Sequence, residues 1–339
     1  MKRIVITLAL VALALPVVAQ ETPDFTTAEI TLGLWQRDAP GSSKFFEYRD
    51  IPQGAVLPSF DFSGRKGDYH YDFYGYDVTQ RDQRYAGLFE GKTWKFEASY
   101  VGIPHRFGNG GKSPLSPTNA TATEWRMSDT TQAAIQTQIE ALGSRNYDTV
   151  LPIVQPTLDA QPSNVDIALQ RNRTRLAFSL IPGEGRFNID VTYFHERRSG
   201  SRTSNGTSFG FNNVIETPEP MRYITQDFGV NASLRGDWGT AFAGFNLNTF
   251  DDNITSFSWD NPFRASDSTA GNAYLGPYST TAGPATGRVG LPPSNEAWTV
   301  KGGTTLKFGR STRLSGDAQV GQWKQNEQPF IGWTTNSAI

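Results

Sequence analysis

The chain has 339 residues, 37% hydrophobic and 12% aromatic, with no cysteine and 31 basic against 33 acidic residues. The missing basic excess argues against nucleic-acid binding, and the missing cysteine excludes disulfides, thiolate metal sites and covalent haem attachment through CxxCH. Low apolar content with many aromatics fits a barrel in which only every second strand residue meets lipid, although a secreted β-sandwich or solenoid shares that composition.

Met1-Lys2-Arg3, an apolar run from Ile4 to Val18 and small residues before Gln20 predict a secretory signal peptide over 1–19. The run is too short for a comfortable helical span. Its removal leaves 29 basic against 33 acidic residues, a formal charge of −4. Residues 20–27 then read as a short periplasmic segment and 28–339 as the barrel.

Alternation of apolar and polar residues predicts eleven strands. The first three are Ala28–Gln36, Val56–Gly64 and the tyrosine-rich Asp68–Thr79, whose register is ambiguous. Tyr85–Phe89 follows, and then Thr93–Tyr100, where Trp94, Phe96, Ala98 and Tyr100 oppose Lys95 and Glu97. About seventy irregular residues come next, and within them Asp129–Leu142 has the caps and period of a helix. Three hairpins complete the pattern, turning at Pro182–Gly185, Gly236–Gly239 and Gly309–Ser311. The tight turns, which include Arg65–Asp68 and Glu90–Lys92, all follow even-numbered strands. That parity is expected of an outer-membrane barrel with a periplasmic N-terminus, short periplasmic turns and long outer loops. The fold class is therefore all-β, a transmembrane antiparallel up-and-down barrel with one short helix in a long loop.

Lys95, Glu97, Arg175, Asp190, Asp227, Lys301, Arg313 and Asp317 are the expected lumen-facing charges. Trp94, Tyr193, Trp238, Trp298 and Trp323 are the expected interfacial aromatics. The three histidines, His70, His105 and His195, read as structural or surface residues rather than haem ligands or bases. Asp251–Asn253 and Asp260–Asn261 lack EF-hand spacing and read as polar loop tips rather than calcium sites. No catalytic constellation, metal site or cofactor site is legible. An odd strand count and an end at Thr334–Ile339 without a final aromatic strand predict an incomplete barrel, the N-terminal part of a longer protein.

Several stretches are more specific than alternation. They are Phe46-Glu47-Tyr48-Arg49-Asp50, Gly102-Ile103-Pro104-His105-Arg106-Phe107-Gly108-Asn109 and His195-Glu196-Arg197-Arg198-Ser199-Gly200. Further on come Ser208–Phe211, Glu216–Pro220, Trp259–Arg264 and Leu291-Pro292-Pro293. Together they resemble the MtrB/PioB family of decahaem-associated outer-membrane barrels. The resemblance implies a non-enzymatic sheath around a periplasmic multihaem c-type cytochrome, through which electrons cross the outer membrane. Haem would then belong to the partner only. Some metal-reducing members carry an early CxxC, which this chain lacks. A general diffusion porin without a cytochrome, and a secreted β-rich adhesion or binding protein, are the other readings of the same strands.

Overall fold

The computed structural model describes residues 8–9, 24–36, 43–143, 148–149, 152–153, 156, 159–160, 163–182, 185–204, 207–208, 214–261 and 286–326. Most of the expected leader, Phe209–Phe211, Pro262–Arg264 and the C-terminal 327–339 lie outside those residues.

Eleven long strands form one antiparallel sheet in which every strand pairs with its neighbours in sequence. They are β1 (Phe25–Trp35), β2 (Gly54–Lys66), β3 (Tyr69–Val78), β4 (Arg84–Gly91), β5 (Trp94–Ser113) and β6 (Ser163–Leu180). The series continues with β7 (Phe187–Thr203), β8 (Pro218–Gly236), β9 (Gly239–Asp252), β10 (Asn295–Phe308) and β11 (Thr312–Gln325). The two-residue strand Leu8–Ala9 pairs with Thr31 and Leu32 at the free edge of β1. The sheet is not closed among the described residues, as expected of an incomplete barrel. The tight turns follow β2, β4, β6, β8 and β10, the parity read from the sequence.

Directly paired residues share a face, so the register defines rows across the sheet. One row runs Phe89, Phe96, Phe178, Val191, Val230, Phe245, Val300 and Val320 from β4 to β11. Six of these eight are exposed, and a contiguous exposed apolar face is what a lipid-facing surface requires. The neighbouring row on the other face runs His70, Glu90, Lys95, Ser179, Asp190, Asn231, Gly244 and Lys301. The register of β3 is thereby settled. Tyr71 and Phe73 stand on the apolar face, while Tyr74 and Tyr76 stand on the polar one. Rings on the apolar face lie over glycines of adjacent strands: Tyr71 on Gly64, Phe60 on Gly75 and Phe73 on Gly87.

The apolar face ends at one row: Tyr85, Tyr100, Thr174, His195, Gln226, Thr249 and Glu296. Below it, Phe187 to Tyr193 on β7 spans roughly 20 Å at about 3.4 Å per residue, close to the height of an outer-membrane apolar band. Above it, β5 to β8 continue as hydrogen-bonded strands for several more residues. Strands of 17 to 20 residues thus overreach the 9–11 or so needed to cross a bilayer.

The long loops after β5 and β9 fold together into a cap. Ser116–Pro117, Glu124–Arg126, Ser256–Asp260 and Thr286–Gly290 make a small second sheet, joined across the two loops by parallel pairing of Ser258 with Glu124 and Trp259 with Trp125. Helix α1 (Asp129–Glu140) packs with it, two residues shorter than expected. Leu115, Trp125, Met127, Ile135, Ile254, Phe257, Trp259 and Leu291 form its buried core.

Candidate functional site

The polar face carries the charges singled out in the sequence. Lys95, Asp190 and Lys301 share the row described above. Glu97 stands one row toward the long loops, opposite Ala177. Arg175 and Asp227 lie in the next row, on either side of Phe194. Arg313 and Asp317 stand on the same face of β11, opposite Lys307 and Gly303. Neutral donors hold several carboxylates. Asp190 accepts from Ser179 Oγ and Asn188 Nδ2, both at 2.6 Å, and Asp227 from Asn246 Nδ2 at 3.1 Å. Lys95 Nζ lies 2.9 Å from Glu97 Oε1.

The aromatics divide. Tyr193 and Trp298 belong to the apolar face near its upper limit, while Trp94 and Trp238 sit at short turns with their indoles over Gly91 and Gly236. Trp323 does not join Trp298. It pairs with Ala297, in the row of Asp227 and Asn248 on the polar face, and is 74% exposed. It lies three positions after the apolar Val320, and an odd offset reverses the face of a strand.

Sequence reading missed the densest cluster, just above the apolar boundary. Glu196 Oε2 lies 2.7 Å from Arg173 Nε and 2.9 Å from Arg171 Nε, and its Oε1 lies 3.1 Å from Arg198 Nη2. The alternating arginines at 171, 173 and 175 were the available signal. Nearby, Arg202 Nη2 reaches Glu219 Oε1 at 2.6 Å.

A second cluster joins two of the specific stretches. Arg106 donates from Nη1 to the carbonyls of Phe46 (3.0 Å) and Arg49 (3.1 Å), and from Nη2 to Asp50 Oδ1 (2.6 Å). Asp50 Oδ2 accepts from the Arg81 backbone N–H at 2.9 Å, tying in the β3–β4 loop. His105 stacks on Tyr48 at 4.4 Å and lies 3.4 Å from Glu47 Oε1. The Lys44 ammonium beside Glu47 holds that carboxyl below the usual glutamate range. His70 Nδ1 faces Glu90 Oε1 at 3.2 Å, and His195 pairs with Thr174 and Gln226 in the boundary row.

The third cluster is the cap. Asp260 is fully buried, accepts the Met127 N–H at 2.9 Å and is bound by the Arg126 guanidinium. Gln132, also buried, donates to the carbonyl of Asn261 at 3.0 Å. Asp260–Asn261 is therefore not a polar loop tip: its charge is committed to clamping one long loop to the other.

The family model described as "Putative outer membrane beta-barrel porin, MtrB/PioB" matches residues 36–338. The chain belongs to the MtrB/PioB family. Each of the three clusters includes residues of at least one of the specific stretches, and the two-faced sheet is the wall of an outer-membrane barrel of porin type. Among solved structures, the outer-membrane expressed OmpT of Vibrio cholerae aligns at 7% identity and a TM-score of 0.30, over 89% of this chain and 70% of that one. The CymD monoaromatic hydrocarbon channel aligns at 10% identity and a TM-score of 0.22, over 89% and 82%. No curated protein matches the chain.

Proposed function

We propose that this member of the MtrB/PioB family is a non-enzymatic outer-membrane scaffold. In this reading its polar face encloses a periplasmic multihaem c-type cytochrome, and electrons cross the membrane through the cytochrome alone. One observation carries the proposal: a family match along nearly the whole chain falls on a sheet with one continuous apolar face and one charged face. A chain without cysteine cannot attach haem covalently, so the redox groups would belong to the partner. Residues 1–19 would be the export leader and those that follow a short periplasmic segment, with the barrel wall beginning at Phe25, three residues before the expected Ala28, because Phe25–Thr27 already pair with Ser63–Arg65 of β2. The short turns would face the periplasm and the cap the outside.

The test is purification of the full-length protein from outer membranes in mild detergent. A haem-staining partner at fixed stoichiometry is expected. Isolation without any haem protein, together with free ion conduction in planar bilayers, would establish a diffusion porin instead. Solubility without detergent would establish a secreted binding protein.

A further inference from the structure

The cluster around Glu196 is part of a wider cationic field. Arg171, Arg173 and Arg175 occupy alternate positions of β6 on the polar face, and Arg198 of β7 pairs with Arg171. Arg84 of β4 stands in the row of Arg173, with Val101 between them. Five arginines therefore gather around Glu196, which pairs with three of them, while Asp77 lies within electrostatic reach of Arg84 at the β4 edge; the formal net charge of the chain is −2. Arg175 is exposed and has no ion-pair partner among the described residues. Other carboxylates of this face stand outside the field. Asp227 lies beyond Phe194 in the Arg175 row, and Asp252 lies beyond Tyr223 in the Arg171 row. Glu97 is one row below Arg175 and is paired with Lys95.

Dimensions decide what the field can hold. Alternate residues of a strand recur about every 6.8 Å, so Arg171 to Arg175 covers roughly 14 Å, and two strand spacings add roughly 10 Å across to Arg84. A small anion is satisfied by one or two guanidinium forks; a field of this size matches a surface bearing several carboxylates. We propose that this arginine wall is a docking surface for an acidic protein partner at the long-loop end of the polar face. The proposal rests on the reading that a protein occupies that face.

Arg175 is the residue to test, because reversing it breaks no internal ion pair. The full-length protein, with its partner, is immobilised after solubilisation from outer membranes and washed with rising sodium chloride, and retained haem absorbance is read. Arg175→Glu should reduce retention roughly two- to fivefold at physiological salt, the scale of one exposed ion pair, and release the partner at lower salt. Arg175→Lys should behave as wild type, and both variants should keep the heat-modifiable gel shift of a folded barrel. A wild-type salt profile for Arg175→Glu and for the Arg84→Glu/Arg175→Glu double variant would overturn the docking surface alone. Displacement of the wild-type partner by inorganic phosphate at constant ionic strength would also overturn it, in favour of a small-anion site. If the wild type retains no haem protein at any salt, the proposed function itself falls.

Discussion

Arg106 fastens a loop by its geometry rather than its charge alone. Its fork reaches two carbonyls and one carboxylate while its backbone N–H donates to the carbonyl of Glu47 at 2.9 Å. Arg106→Ala should destabilise the 43–50 segment by about 2 kcal/mol, the usual cost of losing hydrogen bonds to a charged group. Limited proteolysis should then cut within that segment, and Arg106→Lys should restore little, since an ammonium lacks the planar fork. Gly200 is constrained differently. Its φ of 131° is a conformation L side chains rarely adopt, and a methyl there would collide with the carbonyl oxygen of Ala168 on β6. Gly200→Ala should leave most of the protein unassembled in the outer membrane, measured as the fraction showing the folded gel shift. The glycine was visible within its stretch, but the carbonyl that makes it necessary belongs to the neighbouring strand. A single sequence cannot show that contact.

At the scale of elements, strands and turns were legible and the cap was not. Alternation and Gly-containing turns are local signals, so eleven strands and the turn parity could be read directly. Strand ends could not be read. Beyond Tyr100 the alternation stops because lipid no longer imposes it, yet the backbone ladder with β6 continues to Ser113. The cap core joins residues more than a hundred positions apart, and its parallel pairing leaves no periodic trace. Asp260 therefore looked like a loop residue. Asp260→Ala would strip both the Arg126 guanidinium and the Met127 N–H of their acceptor, and removing one partner of a buried pair costs about 3 kcal/mol or more. Protease should then cut the loops after β5 and β9 while the barrel keeps its gel shift. The cap should also loosen in acid. Hydrogen bonds from Arg126, then Thr118, hold the Glu124 carboxyl below the usual glutamate range. A depressed carboxyl contributes stability that is present at neutral pH and lost as pH falls through its folded value. Glu124→Gln should flatten the acid limb of cap protection, followed by hydrogen exchange between about pH 5 and 3.

For the whole molecule, the two faces make opposite demands on the same strand. Val191 lies in the exposed apolar row and Thr192, its neighbour, on the polar face opposite Ala177 and Gly229. Val191→Arg should cost about 2–4 kcal/mol near the bilayer midplane, whereas Thr192→Arg should cost far less. Urea titration of folding into lipid vesicles separates the two, and equal penalties would mean that the apolar row does not face lipid. Charge sorting is also global. Arginines gather on β4 to β7 at and above the apolar boundary, and Asp227 and Asp252 stand on β8 and β9. No local pattern announces that sorting, because rows exist only once register is fixed.

The parallel pairing inside the cap bears on the order of assembly. Arg126 and Asp260 are 134 residues apart, and four long strands lie between them. Contacts of such separation form late, after the loop-closure entropy has been met by other pairings. Until Ser256–Asp260 arrives, Leu115, Trp125 and Met127 have no Phe257 or Trp259 to pack against. A half-inserted chain would therefore trail a sticky, unfinished loop, the kind of surface that periplasmic holdases capture. Insertion and loop closure are thus separate clocks in this protein, and the slower one runs on the far side of the membrane from the short turns.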